Sequence, residues 1–120
     1  DSLPFAKALE EGWRKLVVVK TRDTGYRKKP NPAALRLLLR KMYGEYPDLV
    51  ETMAARPEMY NGQLGELRGL EREGRAFVIE PQEPVDIGRT ETDPEKLRLL
   101  YEAARAQTRG LLPGLREFLA

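Results

Sequence analysis

Lys15-Leu16-Val17-Val18-Val19-Lys20-Thr21-Arg22 is the stretch on which the reading of this chain turns. Leu16 to Val19 is a continuous apolar, β-branched run without polar alternation and too short for an ordinary helix. It predicts a strand buried on both faces, as in a parallel α/β sheet. After Thr21-Arg22, the loop Thr24-Gly25-Tyr26-Arg27-Lys28-Lys29-Pro30 carries the chain off the carboxyl end of that strand. In open α/β sheets this is the edge where ligands bind.

Working outward, Ser2-Leu3-Pro4 predicts a helix start with Ser2 as N-cap, running to about Glu10 with Phe5, Ala8 and Leu9 on one face and ended by Gly12. Helix, tight turn and strand form half of a βαβ crossover whose first strand would precede Asp1. The abrupt start on Asp1 gives the expectation that this is a piece of a longer chain.

Beyond the loop, Pro32 predicts a helix with Leu35, Leu38, Leu39 and Met42 as its buried stripe. A short helix over Pro47–Ala54 and another over Pro57–Glu73 follow, the latter with Tyr60, Leu64 and Leu67 on one stripe, Leu70 beside it and Gly74 as its stop. Gly62, Gly65 and Gly69 share a face of that helix, which suits either close approach of another element or simple tolerance.

Arg75–Glu80 reads as a second strand, stopped by Pro81, and Pro81–Arg89 as an extended loop. Thr92 with Glu95 fits a capping box with Pro94 in the first turn. The helix it opens should bury Leu97, Leu100, Tyr101 and Ala104 and stop at Gly110, leaving a last short helix from Pro113 to Leu119. Two short strands do not make a stable sheet alone, and both read as central, so each is expected to look for partners outside this chain. The fold class is α/β and helix-rich: 1–30 would end an α/β core, and 31–120 would be a helical extension with one strand.

At 120 residues the chain fits one domain, burying roughly two-thirds of its unfolded surface. No apolar run approaches the ~20 residues that span a bilayer, so no transmembrane segment is expected. Without cysteine or a leader-like start, a cytoplasmic setting is expected, with peripheral membrane contact left open. Net charge is +2, but Lys20 to Lys41 holds eight basic residues against Asp23, a local +7 that leaves −5 for the remainder. Such a patch suits a phosphate, a lipid head group, nucleic acid or an acidic protein surface, or is simply a solvated face. Arg22, Arg27, Lys28 and Lys29 are the candidate contacts for an anion or head group.

Histidine and cysteine are both absent, which removes Cys/His metal sites, thiol nucleophiles, a histidine general base and Ser-His-Asp triads. The one serine, Ser2, is not in a G-x-S-x-G elbow, and no glycine-rich phosphate loop is present. Glu91, Asp93 and Glu95 crowd a helix start, where carboxylates favour the helix N-terminus electrostatically. No catalytic residue, metal or cofactor is assigned.

Several segments together resemble the C-terminal part of bacterial patatin-like phospholipases. Asp1-Ser2-Leu3-Pro4 with Lys7-Ala8-Leu9-Glu10-Glu11-Gly12 is similar to the segment just after that family's Asp-Gly-Gly motif. Lys15–Arg22 and Gly25-Tyr26-Arg27-Lys28-Lys29-Pro30 match the strand and basic loop that follow. Tyr60-Asn61, Leu70-Glu71-Arg72-Glu73-Gly74, Phe77-Val78-Ile79-Glu80-Pro81 and Gly88-Arg89 with Asp93–Leu97 fit the distal region.

The resemblance implies a three-layer α/β/α fold to which this chain contributes about two strands. It also implies a parent enzyme that cleaves lipid acyl esters with a Ser-Asp dyad. Both dyad positions and the oxyanion loop would lie upstream, so the chain alone is expected to be catalytically inactive, with a lipid or acyl-ester substrate met only through the parent. The competing reading is a non-catalytic module that binds a protein by strand addition or holds an anionic surface. In isolation, self-association through exposed strand edges is expected. Nucleic acid is the weaker partner, because only Tyr26 interleaves with the basic cluster.

Overall fold

The computed structural model describes residues 3–88 and 90–120; Ser2, expected as an N-cap, and Arg89 of the expected loop lie outside them. The element order is α1 (Phe5–Glu10), β1 (Leu16–Val19), α2 (Ala33–Met42), α3 (Pro47–Arg72), β2 (Ala76–Ile79) and α4 (Pro94–Leu119). The chain is thus mixed α/β and rich in helix. It divides into two compact units, one of residues 3–4 and Arg27–Gly69, the other of Phe5–Tyr26 and Leu70–Ala120.

In the second unit both strands are launched by the same device. Gly12 has φ 93° and Gly74 φ 67°, the left-handed region that a side chain disfavours. At the first turn Gly12 N–H donates to Leu9 O at 3.0 Å and Trp13 N–H to Ala8 O at 3.1 Å. At the second, Gly74 N–H donates to Glu71 O at 3.0 Å and Arg75 N–H to Leu70 O at 2.8 Å. This paired closure occupies the last carbonyls of each helix and turns the chain into a strand within a few residues.

β1 and β2 pair with each other in parallel, Leu16 opposite Ala76 through Val19 opposite Ile79. Each strand thus has one partner within the chain, and the partners expected outside it would belong to the edges this pairing leaves open. The intervening α2 and α3 supply the long crossover that parallel pairing needs. Burial of β1 on both faces is corrected. Val17 is 42% and Val19 70% exposed, because Phe77, opposite Val17, takes the cover that α4 provides. Phe77 and Phe118 have ring centroids 5.7 Å apart. Lys15 Nζ donates to Phe118 O at 2.6 Å and lies over the same ring, tying the end of α4 to the start of β1. Phe5, Leu70 and Ala76 are the buried apolar residues of this unit.

In the first unit α3 is one helix of 26 residues with Pro57 inside it, where two helices were expected. Proline has no N–H to give the carbonyl four residues back. Asn31 supplies the replacement: its side-chain amide donates to Met53 O at 3.1 Å and lies 3.5 Å from Ala54 O. The Tyr60, Leu64 and Leu67 stripe is buried as expected, together with Leu3 and Leu39. A Cβ added at Gly62, Gly65 or Gly69 would meet nothing within 4 Å, so these glycines admit no close neighbour among the described residues.

Two further expectations are overturned. On α2 only Leu39 of the apolar stripe is buried; Leu35, Leu38 and Met42 are exposed. And α4 runs unbroken through Gly110 and Pro113 for 26 residues. It has no buried residue, and Leu97, Tyr101 and Ala104 of its expected inner face are exposed. Its N-cap is Asp93 rather than Thr92, with the Asp93 carboxylate accepting from Glu95 N–H at 2.9 Å. The stripe was visible in the sequence, but a stripe is buried only where an element comes to cover it.

Candidate functional site

The carboxyl edge of the two strands carries a largely buried polar arrangement in the second unit. Lys20 directly follows β1 and Glu80 directly follows β2, so the parallel register sets them side by side. Their side chains form an ion pair with only 2% and 10% of their surfaces exposed. Thr24 Oγ1 donates to the other carboxylate oxygen of Glu80 at 2.9 Å, and Thr24 N–H to Pro81 O at 3.3 Å. Gln107 of α4 donates through its side chain to Glu80 O. Both strand ends, the basic loop and α4 therefore converge on Glu80.

This placement changes the role of Lys20. Counted from sequence it adds to the basic stretch; in the fold its charge is consumed by Glu80 and offers nothing to a ligand. A buried pair of this kind costs much to break from one side, since the remaining charge has no water.

Arg22 is half-buried, its guanidinium carbon 5.1 Å from the centroid of the Tyr26 ring. Between them Asp23 shapes the turn: Gly25 N–H donates to its carboxylate at 3.0 Å and Tyr26 N–H to its carbonyl at 3.2 Å. A planar cation stacked on an aromatic face keeps donors at its rim and so retains the capacity to meet an anion.

The other three candidates fall in the first unit. Lys28 is gripped at its backbone: its N–H donates to Asn61 Oδ1 and its carbonyl accepts from Asn61 Nδ2, each at 2.9 Å. Asn61 thus imitates one rung of a strand ladder from within a helix. The Lys28 ammonium sits 4.2 Å from the centroid of the buried Tyr60 ring. Tyr60-Asn61 and the basic loop, far apart in sequence, form one clamp. Arg27 and Lys29 flank it, both exposed.

Asn61 and Glu80 were not among the residues singled out as a site. The signal for Glu80 was its position one residue past β2, matching Lys20 one past β1, and it becomes legible only once the strands are known to pair. Among the described residues no group of three or more Asp or Glu is placed to hold a metal ion. No helix among them is long and apolar enough to cross a membrane.

Residues 46–120 match the model of a domain of unknown function, DUF6363. The chain belongs to this family. No curated protein and no solved structure matches it. The DUF6363 segment contains α3, β2 and α4, but the strand that pairs with β2 and the backbone that Asn61 grips both lie before it. In this protein the DUF6363 segment is therefore completed by upstream residues.

Proposed function

We propose that this chain is the C-terminal segment of a patatin-like lipid acyl hydrolase, a structural part of the enzyme's sheet rather than the carrier of its chemistry. The observation that carries the reading is the state of β1. Among the described residues it pairs in parallel on one side only, and Val17 and Val19 remain 42% and 70% exposed. Leu16 and Lys20 direct their N–H groups to Arg75 and Ile79 of the β2 side, so strand geometry turns the backbone groups of Val17 and Val19 to the opposite edge. A two-stranded sheet is marginal alone, and an apolar parallel strand with an open edge asks for a third.

In the parent, a serine upstream would attack the ester carbonyl, an aspartate would take its proton, and oriented amides would stabilise the oxyanion. This segment would align β1 beside that machinery and present Arg22 at the carboxyl edge. A chain without histidine or cysteine suits a dyad that uses neither.

The test is the coding sequence immediately upstream of Asp1, followed by hydrolysis of acyl esters. A G-x-S-x-G elbow and an adjoining Asp-Gly-Gly motif, with activity in the longer chain and none in residues 1–120 alone, are expected. Absence of both motifs upstream, or turnover by residues 1–120 alone, overturns the reading.

A further inference from the structure

The strongest unexplained feature is the outer surface of α2. Leu35, Leu38 and Met42 recur at spacings of three and four and share one face, yet they are 40%, 49% and 61% exposed. Leu39, on the flank of that stripe, is buried. Arg36 and Arg40, one turn apart, line a cleft against the first turns of α3 together with Leu39, Val50 and Glu51. The apolar face is thus unoccupied while the adjoining face is in use.

Charge decides what kind of partner suits this face. From Arg27 to Met42 the chain carries Arg27, Lys28, Lys29, Arg36, Arg40 and Lys41 and no carboxylate; the next acidic residue is Glu45. Two tyrosines, Tyr43 and Tyr46, follow the end of the helix and are exposed. A short helix with an apolar stripe, cations on its flanks and tyrosines at its end has the composition of an element that lies in the plane of a bilayer interface. A protein groove would need acidic residues spaced to match; an anionic lipid surface supplies diffuse negative charge and an apolar layer beneath it.

The geometry points to α2 as a docking surface for anionic membranes, with Leu35, Leu38 and Met42 entering the interface and the flanking Arg36 and Lys41, with the exposed Arg27 and Lys29 of the preceding loop, held at the head groups. The inference stands apart from the acyl-hydrolase reading, because vesicle binding by this face would be seen whatever an ester assay returns.

Since the chain has no cysteine, a single cysteine reports on one place. Met42→Cys on the stripe and Ala33→Cys on the opposite side of α2 are each labelled with an environment-sensitive dye. Each is then mixed with phosphatidylcholine vesicles with or without about 30% phosphatidylserine in about 0.1 M salt. A blue shift at position 42 but not 33, seen only with the anionic vesicles, is expected. Lys41→Gln should weaken vesicle binding about five-fold, and Arg40→Gln, on the side of Ala33, by less. Leu38→Asp with Met42→Asp should abolish it at unchanged helical circular dichroism. Equal shifts at both positions, equal binding to neutral vesicles, or no binding overturns the proposal. So does a shift at position 42 that grows with protein concentration in the absence of vesicles, since it makes the stripe a contact between copies.

Discussion

α3 and α4 are the same length and interrupted by the same residue, yet the protein treats them differently. Each has 26 residues and an internal proline, Pro57 in α3 and Pro113 in α4. Pro57 is buried, and its orphaned carbonyl at Met53 is taken by Asn31. Pro113 is exposed, as is Arg109 four residues before it, so water is at hand for the freed carbonyl. α3 buries Tyr60, Leu64, Leu67 and Leu70, whereas α4 buries nothing and is held through Gln107 and a few residues near its end. A proline inside a helix is accommodated either by a dedicated donor or by solvent, and the burial of the surrounding stripe decides which is needed.

The contrast can be broken most severely at the anchor of α4. Lys20→Met leaves the Glu80 carboxylate without its cation and should cost about 3–5 kcal/mol of unfolding free energy in urea, loosening the point to which Gln107 attaches. Restoring much of that loss in a double variant, Lys20→Met with Glu80→Met, would show that the pair matters for compatibility more than for net stability.

Next in size is truncation along the two stripes. Leu67 is 1% exposed, and Leu67→Ala should cost roughly 2–5 kcal/mol. Leu97→Ala, at an exposed position of α4, should stay within about 0.5 kcal/mol in the same denaturation series. Equal losses would erase the distinction between a packed helix and a tethered one.

The prolines themselves sharpen it further. Asn31→Ala strips the donor from Met53 O and should destabilise α3 by about 1–3 kcal/mol, whereas Pro113→Ala should raise the thermal midpoint by restoring a helical N–H. Pro57→Ala should gain little, since the new N–H competes with Asn31 for the same carbonyl and a buried ring is lost.

The smallest effect concerns pH at the start of α4. Glu91 is held below the usual glutamate value by the Asp93 N–H, then Lys96 and the Thr92 N–H, and Glu95 by Arg98. A lowered folded value means that their contribution is complete above the ordinary value of 4.5 and is lost as pH falls through the folded one. Amide resonances of Thr92, Asp93 and Glu95 should therefore shift toward coil values in acid while those of α3 do not.

Much of the molecule was written in its local sequence. Gly12 and Gly74 end helices because an αL residue is needed where a helix turns into a strand, and glycine alone adopts it without a Cβ penalty. Leu16–Val19 and Ala76–Ile79 are strands because short β-branched runs between such stops favour nothing else. The Tyr60, Leu64 and Leu67 stripe was legible by periodicity. The composition excluded thiol and histidine chemistry outright.

Tertiary structure decided the remainder, because it depends on what lies across space. Whether β1 and β2 would pair together or apart rested on how α2 and α3 return the chain, which no local pattern records. The proline breaks expected in α3 and α4 failed because propensity is a local cost of a few kcal/mol that packing, a side-chain donor or solvent can offset. Of the candidate anion contacts, Lys28 proved to be clamped by Asn61 and Tyr60, while Lys20, counted in the basic stretch, proved to be spent on Glu80. A charge count sees cations alone, but the fold gives some of them, Lys20 and Lys28 among them, a neighbour of their own.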